Sequence, residues 1–188
     1  MASNLFVSRG GEKLQAAIGN WSAKGGLKIA GLVCLDVGSS TGGFVDCLLQ
    51  NGAKKIYAVD TAYGELAWKL RNDPRVVVME RTNILYLQSL PEQVDFITID
   101  AGWTKLELIL PVVKKFLKPK GFIIALLKPH YEADKKSLVK GVLPIDEIEK
   151  VREIVFGKIK NLKFEIKNYM ESPILGGAGN REYLLLIL

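Results

Sequence analysis

Asp36-Val37-Gly38-Ser39-Ser40-Thr41-Gly42-Gly43-Phe44 joins an apolar run, Leu32 to Leu35, to a helix-like stretch, Phe44 to Leu49. The order is strand, glycine-rich turn, helix. Glycines at such a turn accept positive φ and let a ligand approach main-chain N–H groups, with a helix N-terminus behind them. Ser40 stands where a G-x-G-x-x-G fingerprint has its second glycine, the one that admits a pyrophosphate. A dinucleotide is disfavoured, and an adenosyl ligand without phosphates remains open. A second apolar run, Ile56 to Val59, closes on Asp60, at about the twenty-residue spacing of a carboxylate that binds ribose hydroxyls. S-adenosylmethionine (SAM) satisfies both observations; an ordinary tight turn followed by a surface aspartate is the competing reading.

Outward from this turn, strands and helices alternate, the pattern of an α/β fold with a mostly parallel sheet covered on both faces. Strands are expected near 32–37, 55–59, 75–80, 94–100, 121–127, 163–170 and 182–188, and helices near 42–51, 64–71, 104–117 and 144–160. Pro74, Pro91, Pro119 and Pro144 fall at or near boundaries, as a residue lacking an N–H should. The last two strands are linked by 172–180, a hairpin-like loop, so the sheet is expected to end in an antiparallel strand, as a methyltransferase does and a dehydrogenase does not. Upstream, residues 1–8 read as a short leader, and Leu14, Ala17 and Ile18 mark a helix that Ser8 would cap. Lys13 would then lie in the first turn, against the helix dipole, a placement that invites a functional question. Residues 22–31 read as a polar, glycine-rich loop. The expected organisation is one domain over 1–188, with a helix and loop at 1–30 and a core at 31–188.

The chain has 188 residues, 48% hydrophobic and 24% charged, a globular composition. No apolar run approaches the roughly 18 to 20 residues of a membrane span, and no signal-peptide pattern opens the chain. No membrane insertion and a cytoplasmic location are expected. Cys34 and Cys47 sit among apolar neighbours and read as reduced core thiols; with His130 the lone histidine, no metal cluster is expected. The net charge is +6, with ten basic and nine acidic residues before Asp100 and sixteen and eleven from there on. That excess fits a polyanionic partner docking on the C-terminal half, and equally a solvated helix face.

In open α/β sheets ligands sit beyond the carboxyl ends of the strands. Asp36, Asp60, Asp100 and Lys128 end or follow strands there, and Asn83 is placed to bond an adenine edge. The ionisable groups to weigh are Lys13, Asp100, Lys128 and Glu182. A ribose 2′-hydroxyl is a poor nucleophile at neutral pH and needs alignment and a proton acceptor. A lysine crowded by another ammonium or partly desolvated can accept that proton, with carboxylates to orient it. The plainer reading has solvated lysines and a Glu182 paired with a neighbour such as Arg181.

Together, Ser8-Arg9-Gly10-Gly11-Glu12-Lys13-Leu14, the turn at 36–44, the run from Tyr63 to Asn83, Lys128-Pro129 and Gly179-Asn180-Arg181-Glu182-Tyr183 make the chain resemble the TlyA, or hemolysin A, family, whose members carry an FtsJ-type RNA methyltransferase domain. The resemblance runs from about residue 7 to the end. It implies a Rossmann-like SAM-dependent methyltransferase fold and 2′-O-methylation of ribosomal RNA, on cytidine in the best-known members, with ribosomal RNA or subunits as partners. It also implies a catalytic tetrad at Lys13, Asp100, Lys128 and Glu182, with Lys128 as proton acceptor steered by Asp100. Gly38, Ser39, Ser40, Thr41, Gly42, Gly43 and Phe44 would hold the methionine end and sugar of SAM, Asp60 its ribose and Asn83 its adenine.

The sequence departs from the family's pattern after Asp100, where Ala101-Gly102-Trp103 keeps an aromatic but not the serines. It departs again after Lys128-Pro129, where His130-Tyr131-Glu132 replaces Gln-Phe-Glu. Trp103, His130 and Tyr131 are candidates for stacking on a splayed nucleotide. Full-length relatives also carry an N-terminal S4-type RNA-binding domain, which is expected to be absent from this chain. Rival readings are a SAM- or RNA-binding module without catalysis, a membrane-active protein, and a methyltransferase with another acceptor.

Overall fold

The computed structural model describes residues 5–23 and 27–188. Its strands are β1 (Val33–Val37), β2 (Lys55–Val59), β3 (Val76–Met79), β4 (Val94–Ile99), β5 (Leu117–Leu127), β6 (Ile166–Glu171) and β7 (Tyr183–Ile187). Its helices are α1 (Gly10–Ser22), α2 (Gly43–Gln50), α3 (Trp68–Arg71), α4 (Leu106–Val113), α5 (Pro129–Glu132) and α6 (Ile145–Asn161). The strands form one sheet in the order β3-β2-β1-β4-β5-β7-β6. Pairings from β3 to β5 are parallel, and β7 runs antiparallel to both β5 and β6. This is the expected Rossmann-like methyltransferase architecture. The chain's last strand is antiparallel as anticipated, but it is inserted inside the sheet, and β6 forms the edge.

Side chains alternate across the strands with period two and so divide the core into two layers. Leu35, Tyr57, Ile97, Ile99, Ala125 and Leu185 face α4 and α6; Cys34, Ile56, Phe96, Ile124 and Leu184 face α1, α2 and the end of α3. All five residues of β1 are buried, as covering by helices on both faces requires. Cys34 and Cys47 form no disulfide and are buried in the second layer, where loss of water pushes both thiols up, Cys47 to about 12. Among the described residues no helix is long and apolar enough to cross a membrane, and no group of three or more His, Cys, Asp or Glu side chains is arranged to hold a metal ion.

Several local expectations are corrected. Ser8 makes no capping bond; Arg9 occupies the N-cap of α1 with helical angles and no side-chain cap. Residues 5–8 are docked: Phe6 is buried against Gly11, where a Cβ would overlap its ring, and the Val7 amide donates to Asp46 Oδ2 at 2.9 Å. Residues 1–4 of the expected leader and 24–26 of the expected loop lie outside the described residues. The helix expected at 64–71 is confined to Trp68–Arg71. Gly64 has φ +78 and donates its amide to Glu80 Oε1, and the extended Ala67 donates to Thr41 O, so 61–67 is a strap beside the turn. Strand β5 starts at Leu117, before Pro119, which the shift in register between Val94 and Phe96 accommodates. Helix α4 is shorter than expected and carries Pro111, and the chain passes into a 3₁₀ turn at 114–116. The short helix α5, unforeseen, follows Lys128 directly.

Candidate active site

Strand order reverses between β1 and β4, and the glycine-rich turn and Asp100 leave these two strands side by side. The Asp100 amide donates to Val37 O at 2.9 Å. Gly38 has φ +84, and a Cβ there would lie 2.6 Å from the Asp100 carbonyl oxygen, so the two segments touch through backbone and only glycine fits.

Two adjoining cavities open at this point and share Gly38, Ser40 and Asp100. The first, about 230 Å³, is lined by Ser8, Arg9, Gly10 and Lys13 from the entry to α1 and by Ser39, Thr41, Gly43 and Phe44 from the glycine-rich turn and α2. The second, about 400 Å³, runs past Asp60, Thr82 and Asn83 to Trp103 and Lys128. Nearly every expected cofactor-side residue thus borders one cleft. Gly42 is the exception: it lines neither cavity, has φ +100, and a Cβ there would collide with Leu70, so it serves the turn and its packing on α3.

The turn's amides are arranged differently from the sequence expectation. Those of Gly38 and Ser39 donate to Val59 O at 2.9 and 3.2 Å, and that of Ser40 donates to Asp60 Oδ2 at 2.7 Å. They fasten the turn to β2 instead of presenting themselves to a ligand. Asp60, half-buried, also accepts from the Ala62 amide through Oδ1 at 2.8 Å; each carboxylate oxygen keeps a further lone pair toward the cleft. Asn83 caps a 3₁₀ turn through its side-chain oxygen, which accepts from the Leu85 amide at 3.0 Å, and its NH₂ remains as a donor.

The four candidate catalytic side chains form two ion pairs. Lys13 Nζ donates to Glu182 Oε2 at 2.5 Å, the two residues being 8% and 3% exposed. Behind Glu182, Gly176 leaves room that a Cβ would take from the carboxylate. Lys128 Nζ lies 2.6 Å from Asp100 Oδ1, at an angle that leaves this oxygen without a true hydrogen bond. Glu182 therefore pairs with Lys13; its neighbour Arg181 pairs with Glu171 instead. Trp103, 81% exposed with φ +64, stands over the second cavity with its ring 4.9 Å from that of Tyr131. Sequence reasoning did not place Ser8, Arg9 and Gly10 on the cleft wall, although Ser8 to Leu14 was already conspicuous as a motif.

Asp36 lies beneath the turn, fully buried. Its Oδ1 accepts from Thr98 Oγ1 at 2.5 Å, and its Oδ2 has no partner. Burial, with smaller contributions from Asp100 and Asp60 and against the Thr98 bond, pushes its pKa from 3.8 up to about 7. An acid raised in this way binds more protons folded than unfolded between these values, so stability falls as pH rises from 4 to 7 and the cost is fully present above 7. That cost is on the order of 4 kcal/mol. Asp36→Asn is expected to flatten the fall of urea-unfolding free energy across this range; an unchanged slope would refute the assignment.

A family model described as FtsJ-like methyltransferase matches residues 6–187. The chain is 44% identical over 190 residues to the Bacillus subtilis protein YqxC, covering 96% of this chain and 64% of that protein, so it spans a little under two thirds of that relative's length. It is 37% identical to the Mycobacterium tuberculosis 16S/23S rRNA (cytidine-2′-O)-methyltransferase TlyA, over 98% of this chain and 69% of that one. The solved structure of a Lactococcus lactis protein superposes with a TM-score of 0.92 at 41% identity, over 98% of this chain and 89% of that chain.

Proposed function

The chain belongs to the FtsJ-like methyltransferase family, and on that basis we propose that it methylates a ribose 2′-hydroxyl of ribosomal RNA, a cytidine by analogy with the mycobacterial relative. The observation that carries this reading is that the Lys128–Asp100 pair and Lys13, backed by a Glu182 that lines neither cavity, border a cleft that suits an adenosyl ligand. The cleft's own groups fit SAM better than a nucleoside phosphate: carboxylates of Asp60 and Asp100 border it, and three amides of the turn are already committed to β2. Asp60 would accept from ribose hydroxyls, Asn83 would meet the adenine edge, and Gly38 to Thr41 with Gly43 and Phe44 would receive the methionine end.

When bound, SAM supplies an electrophilic methyl group. The chain's part is to align the 2′-hydroxyl and take its proton, which alignment and general-base catalysis accelerate together. Lys128, aimed by Asp100, would receive that proton in its neutral form. Lys13, held by Glu182, would place a second positive charge at the adjoining first cavity, where it could steady the oxygen as negative charge develops. Trp103, projecting over Lys128's side of the cleft, offers an open ring face to an unstacked base.

The test is transfer of labelled methyl from SAM to ribosomal subunits that lack the modification, followed by the same reaction on an RNA fragment with a 2′-deoxy target nucleotide. Label is expected on the first and not on the second. Equal labelling of the deoxy fragment would move the acceptor to a base.

A further inference from the structure

The loop between β6 and β7 ends in Gly179-Asn180-Arg181-Glu182, a motif of which the chemistry above uses only the last residue. Asn180 is 3% exposed, and both ends of its side-chain amide are bonded. Its Oδ1 accepts from the Leu143 amide at 3.0 Å, and its Nδ2 donates to Gly141 O at 3.0 Å and to Gly177 O at 3.4 Å. Gly141 and Leu143 belong to a segment anchored by other means. Val139 and Val142 exchange backbone bonds of 2.8 and 3.0 Å across Lys140 and Gly141, both at positive φ, and Leu143 is buried in the layer that faces α4 and α6.

Within its own loop, Asn180 O accepts from the Gly176 amide at 2.8 Å, and the Ser172 amide donates to Glu182 O at 2.8 Å. The chain from 172 to 182 is thereby closed at its base and folded back, so that Gly176, itself buried, lies against the Glu182 carboxylate. The three atoms that a Cβ at Gly176 would meet first all belong to Glu182, with Oε1 foremost. Lys13 holds the other oxygen, Oε2. The turn that brings Gly176 there is not one its own residues prefer. Ala178 has φ +55, a left-handed conformation that a side chain disfavours and that persists only where the surroundings impose it.

We infer that Asn180 is a positioning residue for the Glu182–Lys13 pair, acting through Gly176. By fastening the 176–180 turn to the 141–143 segment, it keeps the Gly176 backbone against Glu182 Oε1 and so keeps the carboxylate aimed at Lys13. The inference rests on the reading of Lys13 and Glu182 as part of the methyl-transfer site and adds the residue that holds them. Without the tie, the turn relaxes, the uncovered carboxylate rotates toward water, and Lys13 loses its fixed partner.

Gly176→Ala tests the contact and Asn180→Ala the tie. Gly176 has φ −69, which alanine adopts without strain, so its substitution acts on the carboxylate and not on the turn. In NMR spectra of the intact chain, the ammonium protons of a buried, paired lysine exchange slowly enough to be seen, and Lys13→Met identifies the Lys13 signal by its loss. Both variants are expected to shift or broaden that signal; an unchanged signal in either one overturns the inference. Should Asn180→Ala fail to fold, Asn180→Ser takes its place, since it keeps a polar group in the interior but is too short to reach Gly141 and Leu143. With SAM and ribosomal subunits, kcat of both variants is expected to fall about a hundredfold, the loss that follows a misplacement of about 1 Å, with KM for the subunits and affinity for SAM unchanged. In Glu182→Ala, where an added Cβ has room, Gly176→Ala is expected to lower kcat no further. An equal further fall there would show an effect that bypasses Glu182 and would overturn the inference. A shifted Lys13 signal with wild-type kcat would instead refute the part given to Lys13 and Glu182 in methyl transfer and leave the hold of Asn180 on the pair standing.

Discussion

Lys128→Ala is expected to lower methyl transfer about 10³-fold, the middle of the range for loss of a general base, while SAM binding measured by calorimetry persists. The separation follows from geometry: Asp60, Asn83 and the glycine-rich turn are built on other strands and do not depend on the lysine's ion pair. Lys128→Arg sharpens the test. A guanidinium can still pair with Asp100, yet it does not give up its proton in proteins and so cannot accept another. Both variants are expected to be equally slow. An active Lys128→Arg enzyme would show that the position needs a positive charge and that the proton goes elsewhere, with water the first candidate.

The second large effect is on stability. Lys13 and Glu182 are separated by 169 positions in the chain and form a buried pair that ties α1 to the start of β7. Lys13→Met leaves a carboxylate buried without its counter-ion, a loss of about 3–5 kcal/mol for pairs of this kind, and Glu182→Leu leaves the ammonium in the same position. The double variant removes both charges and is expected to recover most of the stability, because apolar replacements of buried ion pairs are often neutral or better. Urea unfolding of the three variants measures this. If the tetrad assignment is right, the double variant is folded and inactive. A folded and fully active double variant would make the pair a structural tie alone, and a single Lys13→Met that costs under about 1 kcal/mol would place the pair among exposed ion pairs.

The positions of the strands were legible because their causes are local. Apolar runs bounded by glycine and proline locate β1, β2 and β4 closely, and the glycine spacing after Asp36 identifies the strand-to-helix turn. The boundaries that failed were decided by partners remote in sequence: Glu80 holds Gly64 out of the helix expected to begin there, and Phe6 and Asp46 draw the supposed leader onto the fold. The same division runs through the site. The family resemblance singled out Lys13, Asp100, Lys128 and Glu182 and set Asp100 beside Lys128, but residue types and motif order did not say that Glu182 takes Lys13 and not its neighbour Arg181. Only the tertiary structure made those choices. Insertion of β7 between β5 and β6 carries Glu182 to Lys13, and the side-by-side exit of β1 and β4 packs Gly38 on Asp100. Spacing along a chain governs what neighbouring residues can form; which distant groups meet depends on strand order and packing, which no local pattern encodes.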